Sequence, residues 1–157
     1  MARVRRSLVP LLVALLLATV PAASADLTGV VVRVVDGDTV HVRLGDRIEK
    51  VRYIGVNTPE LHHPTKGREP GGEEAARVNE ELVGGKRVRL ELDVQSRDRY
   101  GRLLAYVWVG DVMVNAELVR RGFAQVMTVP PNVRHQGLFL ILEREARTVG
   151  RGLWRAG

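Results

Sequence analysis

The chain has 157 residues, 45% of them hydrophobic, enough to bury the core of one ordinary domain and too few for two. It contains no Cys, which excludes a disulfide scaffold, a thiolate zinc site and a Cys nucleophile. The formal charge is +6 and Arg dominates Lys, a bias toward planar, bidentate anion binding that the base composition of a gene also produces.

Arg3, Arg5 and Arg6 precede an apolar run from Leu8 to Val20. That run falls short of the roughly 20 residues that span a bilayer. Ala23-Ser24-Ala25 has the small-residue pattern of a signal cleavage site. Residues 1–25 are therefore expected to be a secretory signal peptide cut after Ala25, with an uncleaved anchor as the alternative. The domain is then residues 26–157, secreted to the medium, cell wall or periplasm, with no stable membrane insertion after cleavage. Three of the 24 basic residues leave with the signal and none of the 18 acidic ones, so the remainder carries a formal +3. That permits an anionic partner without demanding one.

Leu27 to Val35 is Val-rich and ends at the turn Asp36-Gly37-Asp38. Thr39 to Leu44 alternates polar and apolar, as a half-buried strand does. Gly45-Asp46 turns the chain into a third strand, Lys50 to Val56, on which Arg52 points opposite to Val51 and Tyr53. Asn57 to Gly72 has no periodicity and reads as a loop long enough to be functional. Glu73 to Leu82 reads as a helix with acidic residues in its first turn and Gly84-Gly85 behind it. Strands at Arg87–Leu92 and Leu103–Val109 flank a charged loop. Helices at Val114–Arg121 and His135–Val149 complete the chain, separated by the breaker Val129-Pro130-Pro131-Asn132. Five short strands, one helix after the third and two at the end predict an α+β fold: a small five-stranded OB-fold β-barrel with three helices.

The chain lacks a P-loop, a dinucleotide fingerprint, a zincin motif and a nucleophile elbow. Ser96 is the only Ser after the signal, and its neighbours offer no nucleophile turn. His62-His63 are adjacent, which is poor spacing for one metal, and read as solvated loop. Oxygen donors gather at strand ends instead: Asp36 and Asp38 in the first turn, Asn57 and Glu60 after the third strand. Such ligands suit Ca²⁺ or Mg²⁺. A carboxylate-bound cation beside Arg52 and Arg102 can hold a phosphodiester and stabilise its transition state. Glu60 can then accept a proton from the attacking water. Taken singly, Asp-Gly-Asp is a turn motif and Asp98-Arg99-Tyr100-Gly101-Arg102 a charged hairpin. Their order and separation give the joint reading its weight.

The segments Val35–Val40, Arg52–Glu60, Asp98–Arg102 and Met113–Gly122 resemble, in order, those of the staphylococcal nuclease family, over about Leu27 to Trp154. The resemblance implies an OB-fold barrel with three helices and a Ca²⁺-dependent phosphodiesterase that cleaves DNA and RNA and leaves 3′-phosphates. By position, it implies that Asp38 is the carboxylate calcium ligand and that Thr58 supplies a backbone carbonyl. It implies Glu60 as the general base, and Arg52 and Arg102 as the pair that binds the phosphate and its transition state. Arg99 and Tyr100 match a Lys-Tyr pair beside the terminal phosphate. Asn57 stands where the member that names the family has a second metal carboxylate, and a base-flanking Tyr there aligns with about Thr128. The expected protein is a monomeric secreted nuclease acting on DNA, RNA or both. The alternative is a non-catalytic OB-fold module that binds nucleic acid or a protein, which would not need Arg52, Glu60 and Arg102 together.

Overall fold

The computed structural model describes residues 26–61, 65 and 67–155. The expected signal segment and the His62-His63 pair lie outside the described residues.

Three consecutive strands form the antiparallel meander that the alternation predicted: β1 Leu27–Asp36, β2 Thr39–Leu44 and β3 Arg47–Tyr53. Register shifts between Val31 and Arg33 and between Val34 and Asp36 bend β1. The bent strand pairs with β2 and also with β5, Arg87–Glu91. β5 then pairs with β6, Leu103–Val109. The barrel closes where β3 meets β6 in parallel, Val51 opposite Leu103 and Tyr53 opposite Ala105. The result is a closed, mixed five-stranded barrel of OB-fold type, as expected. Alternate residues of each strand fill it, among them Val40, Val42, Val51, Leu90, Ala105 and Val107.

Among the described residues there are three α-helices: α1 Gly72–Val83, α2 Val114–Arg120 and α3 Gln136–Thr148. Their bounds agree with the sequence expectation to within a residue. The third strand does not. It begins at Arg47 and ends at Tyr53, because Gly55 takes a left-handed φ of 77° and turns the chain. A Cβ there would lie 2.7 Å from the buried Phe139 ring of α3, so the turn also needs glycine for space. The following β4, Val56–Asn57, pairs with β8, Gln125–Val126, and β7, Val112–Met113, extends β6. None of these two-residue strands was foreseen, since two residues carry no period.

The parallel closure is held from inside by Asn115 on α2, which is fully buried. Its Nδ2 donates to the Ile54 carbonyl at 2.9 Å and its Oδ1 accepts from the Val107 amide at 2.8 Å. A side chain thus supplies partners that the ladder cannot where β3 ends. That end of β3 is where the chain enters the Asn57–Glu60 segment.

Candidate active site

Asp38 sits in the tight turn between β1 and β2 and is 4% exposed. Its Oδ2 accepts from the Thr58 amide at 2.8 Å, from Thr58 Oγ1 at 3.1 Å and pairs with Arg52 Nη2 at 3.2 Å. Its Oδ1 accepts from Thr39 Oγ1 at 3.0 Å. Gly37 lets this turn sit against its neighbours, because a Cβ there would lie 2.7 Å from Thr58 Oγ1 and 2.8 Å from Ala75 of α1.

Arg52, from β3, is held by four acceptors. Nη1 donates to the carbonyls of Tyr53 and Val56, both at 2.8 Å, and Nη2 to Asn57 Oδ1 at 3.0 Å in addition to the Asp38 pair. The guanidinium fork is therefore oriented before any substrate arrives. Asp38, Arg52, Asn57 and Thr58, which the sequence placed on a turn, a strand and the loop after it, form one connected network.

Glu60 lies at the mouth of the long loop and is half-buried. Its amide donates to Glu69 Oε2 at 3.0 Å and its carbonyl accepts from the Glu69 amide at 2.9 Å, so the loop is pinched shut behind it. Asp36 feels this acidic neighbourhood. Burial first, then the charge of Asp38 and more weakly that of Glu60, push its carboxyl up to about 6, against the hydrogen bond it accepts from the Asp38 amide.

The opposite wall comes from the hairpin before β6. Asp98 is a hub: Oδ1 accepts from the amides of Tyr100 and Arg102, and Oδ2 from Arg102 Nε at 2.7 Å. Burial alone would raise the Asp98 carboxyl, but the Arg102 bonds outweigh it and hold it below the usual range. Arg99 bonds the Tyr100 hydroxyl and lies 4.7 Å from the centre of its ring, with Arg102 at 5.5 Å. The exposed ring of Tyr100 is thus flanked by two cations.

Between the walls lies a cleft of about 480 Å³ whose lining joins Arg52 to Arg99, Tyr100 and Arg102, over an apolar floor that includes Ile54 and Leu104. Asp38, Asn57, Thr58 and Glu60 are not part of that lining. Asp38 and Asn57 connect to it through Arg52. Met127 and Val129 occupy the wall beside Thr128, so aliphatic side chains face the cleft there.

Two positioning devices escaped the sequence reading. Asn132 and Gln95 bond reciprocally, side chain to backbone, with Gln95 N to Asn132 Oδ1 at 2.8 Å and Asn132 Nδ2 to Gln95 O at 2.7 Å. They clamp the Arg99–Arg102 hairpin to the turn Val129–Asn132. Behind the Asp turn, Tyr53 donates to Asn79 Oδ1 at 2.8 Å, and Asn79 Nδ2 donates to the Asp36 carbonyl at 2.9 Å. Burial holds the Tyr53 phenol far above its ordinary value, so it remains a donor. An Asn at the apolar-face spacing of Ala75, Val78 and Val83 is the signal that marks this second device.

Among the described residues, no three His, Cys, Asp or Glu converge on one point. The available set is the Asp38 carboxylate, the Asn57 amide oxygen and the Thr58 carbonyl, all hard oxygens. Two of these already turn toward a positive charge, since Asp38 Oδ2 and Asn57 Oδ1 both face Arg52 Nη2. The donor chemistry fits a weakly held divalent cation.

Residues 50–156 match the sequence model of the staphylococcal nuclease homologues. The chain is 38% identical to a thermonuclease of Staphylococcus intermedius over 135 residues, 84% of this chain and 80% of that protein. It is 38% identical to a thermonuclease of Staphylococcus hyicus, covering 79% and 73%. It is also 40% identical to endonuclease YncB of Bacillus subtilis strain 168, covering 78% of this chain and 59% of the relative.

Proposed function

The chain belongs to the staphylococcal nuclease family of phosphodiester hydrolases, and from that premise we propose a secreted, calcium-dependent nuclease that cuts DNA, RNA or both and leaves 3′-phosphate ends. The observation that carries the reading is the pair Arg52 and Arg102, set on two walls of one cleft with each guanidinium oriented by bonds to its own surroundings. A binding module has no need of two such forks around one phosphate, and the nuclease-named relatives favour catalysis over binding.

The phosphodiester lies between Arg52 and Arg102, and its non-bridging oxygens accept from the Arg102 Nη groups and from Arg52 Nε, the N–H that the four acceptors of Arg52 leave unused. Negative charge grows on those oxygens as the attacking water adds, so both contacts strengthen in the transition state. Glu60 accepts the proton of the attacking water. The phosphorus–O5′ bond breaks, the O5′ takes a proton from solvent water as it leaves as a hydroxyl, and the phosphate stays on the 3′ side. Asp38, Asn57 and the Thr58 carbonyl would hold calcium, which would supply Lewis-acid polarisation and charge neutralisation. Arg99 and Tyr100 take a neighbouring phosphate, Arg99 by charge and Tyr100 through its hydroxyl. Secretion is supported by the pattern of Arg3 to Ala25, and no helix among the described residues is long and apolar enough to cross a membrane.

Digestion of plasmid DNA and of RNA by residues 26–157, with calcium, with magnesium and with excess chelator, tests the reading. Cleavage that requires a divalent cation, with calcium at least as effective as magnesium, is expected. Full activity in excess chelator contradicts it.

A further inference from the structure

Arg52 is not an isolated cation on its strand. Side chains two residues apart share a face, so Lys50 stands on the same outer face of β3, about 6.8 Å back along the strand. Lys50 pairs across with His41 of β2, and His41 with Arg33 of β1, making one row of basic groups across three strands. The next row joins Ile48, Arg43 and Val30, and Val30 also faces Arg87 on β5. The register shift after Val31 brings Arg33 into this face. Arg33, Arg43, Lys50 and Arg87 are all exposed. Among the described residues, none of the four has an acidic partner within salt-bridge distance, whereas Arg89 and Arg97 nearby are paired with Asp26 and Glu49.

Like charges placed directly opposite on adjacent strands destabilise a sheet. His41 registers the crowding: burial first, then Arg33 and Lys50, hold its imidazole below the usual value. Arg33 and Lys50 flank His41 in one row and Arg43 stands in the next, so three unpaired cations share one face, and an anionic partner relieves their mutual repulsion. From Arg52 to the Arg43 row is about 13 Å, roughly four nucleotides of stacked strand at 3.4 Å each. No Phe, Tyr or Trp stands in these rows, and the half-buried His41 is their one ring, so the surface offers charge with little base stacking.

We propose that the outer face of β1, β2 and β3, carrying Arg33, Arg43 and Lys50, is an accessory site for the phosphate backbone of the substrate strand beyond the bond being cut. This rests on the nuclease reading of the cleft, of which Arg52 is the shared edge. The face tracks the backbone without reading sequence, and it favours long substrates over short ones.

The test compares the wild type with the triple variant Arg33→Gln, Arg43→Gln, Lys50→Gln, and with Arg43→Gln alone should the triple variant melt below assay temperature. Anisotropy of a fluorescein-labelled 20-nucleotide oligothymidylate, in chelator and over a salt series, reads binding without cleavage. At roughly 0.7 per phosphate contact, the slope of log affinity against log salt should become shallower by about two for the triple variant and by about 0.7 for the single one. In calcium, KM for the 20-mer should rise about tenfold at low salt, while kcat/KM for a dinucleotide stays within about twofold. An unchanged salt slope overturns the proposal. So does an equal loss on the dinucleotide, which places the effect in the cleft. Retained oligonucleotide binding with lost binding to phosphatidylglycerol vesicles overturns it in favour of a membrane surface. A wild type that cleaves neither substrate contradicts the nuclease reading instead, and the anisotropy arm is decided without it.

Discussion

Asn57 donates no charge to the cation site, and its Oδ1 is already engaged by Arg52. An Asp at that position would add a second carboxylate beside Asp38. Calcium sites tune affinity by ligand charge, so Asn57→Asp should tighten calcium about tenfold, or about 1.4 kcal/mol, with the fold unchanged. Calorimetric titration of both forms with a substrate analogue checks this, and identical affinities would make Asn57 a tether for Arg52 only. Glu60 is argued to act in the chemical step alone. Glu60→Gln should therefore lower kcat by about 10²–10⁴ and leave KM within a few-fold. A collapse of binding instead would make Glu60 an organiser of the loop that it closes with Glu69. At this scale the sequence was most informative, because each residue stands in a short motif at the end of a strand. It was silent on how Arg52 is held, since two of its four acceptors are backbone carbonyls.

The elements bring these motifs together through contacts that no spacing reveals. Gly37 reads in the sequence as turn chemistry, yet its role is to let the Asp turn touch Thr58 and α1. Gly37→Ala should force that turn outward, costing about 1–3 kcal/mol of stability and weakening calcium binding; thermal melting and terbium luminescence read the two effects. An alanine variant with wild-type cation affinity would show that the turn tolerates displacement. Asn132 reads as part of a proline breaker, and its bonds to Gln95 join segments 37 residues apart. Asn132→Ala leaves two backbone groups of a cleft wall unpaired, at about 1–3 kcal/mol each if they stay dry. It should reduce kcat on short and long substrates alike, because the hairpin carrying Arg102 loosens. The strands, the helices and the barrel were legible from period and turn residues. The short β4–β8 pair, the parallel closure and both Asn devices were not, because they depend on partners distant in the chain.

Across the whole molecule, ionised carboxylates bind the surface arginines into the fold. Hydrogen bonds from Arg97 hold Glu49 below its usual range, and those from Arg120 and Arg121 do so for Glu117. At Glu91 and Asp98, burial pulls upward but hydrogen bonds win, from Arg134, His135 and Trp108 at Glu91 and from Arg102 at Asp98. All four have lowered native values, so each contributes stability that is present above the ordinary carboxylate range and is lost as pH falls through the native value. Acid unfolding should begin below about pH 4. Asp36 has the opposite sign. Its native carboxyl is raised to about 6, so ionising it costs stability as pH rises from 3.8 toward that value. Asp36→Asn should accordingly melt higher than the wild type at pH 7 in chelator and show no such gain at pH 3; a lower melting point at pH 7 would refute this sign.

The claim on which the rest depends is that Arg52 and Arg102 act together on one scissile phosphate. Single-turnover cleavage of an end-labelled oligonucleotide in calcium, by the wild type and by Arg52→Ala and Arg102→Ala matched for folding by circular dichroism, measures it most directly. Each oriented donor lost from a developing charge removes about 2.7–4 kcal/mol, so each variant should cleave about 10²–10³ more slowly, and Arg→Lys should not restore the rate fully. A folded alanine variant at either position that cleaves at the wild-type rate would contradict the account.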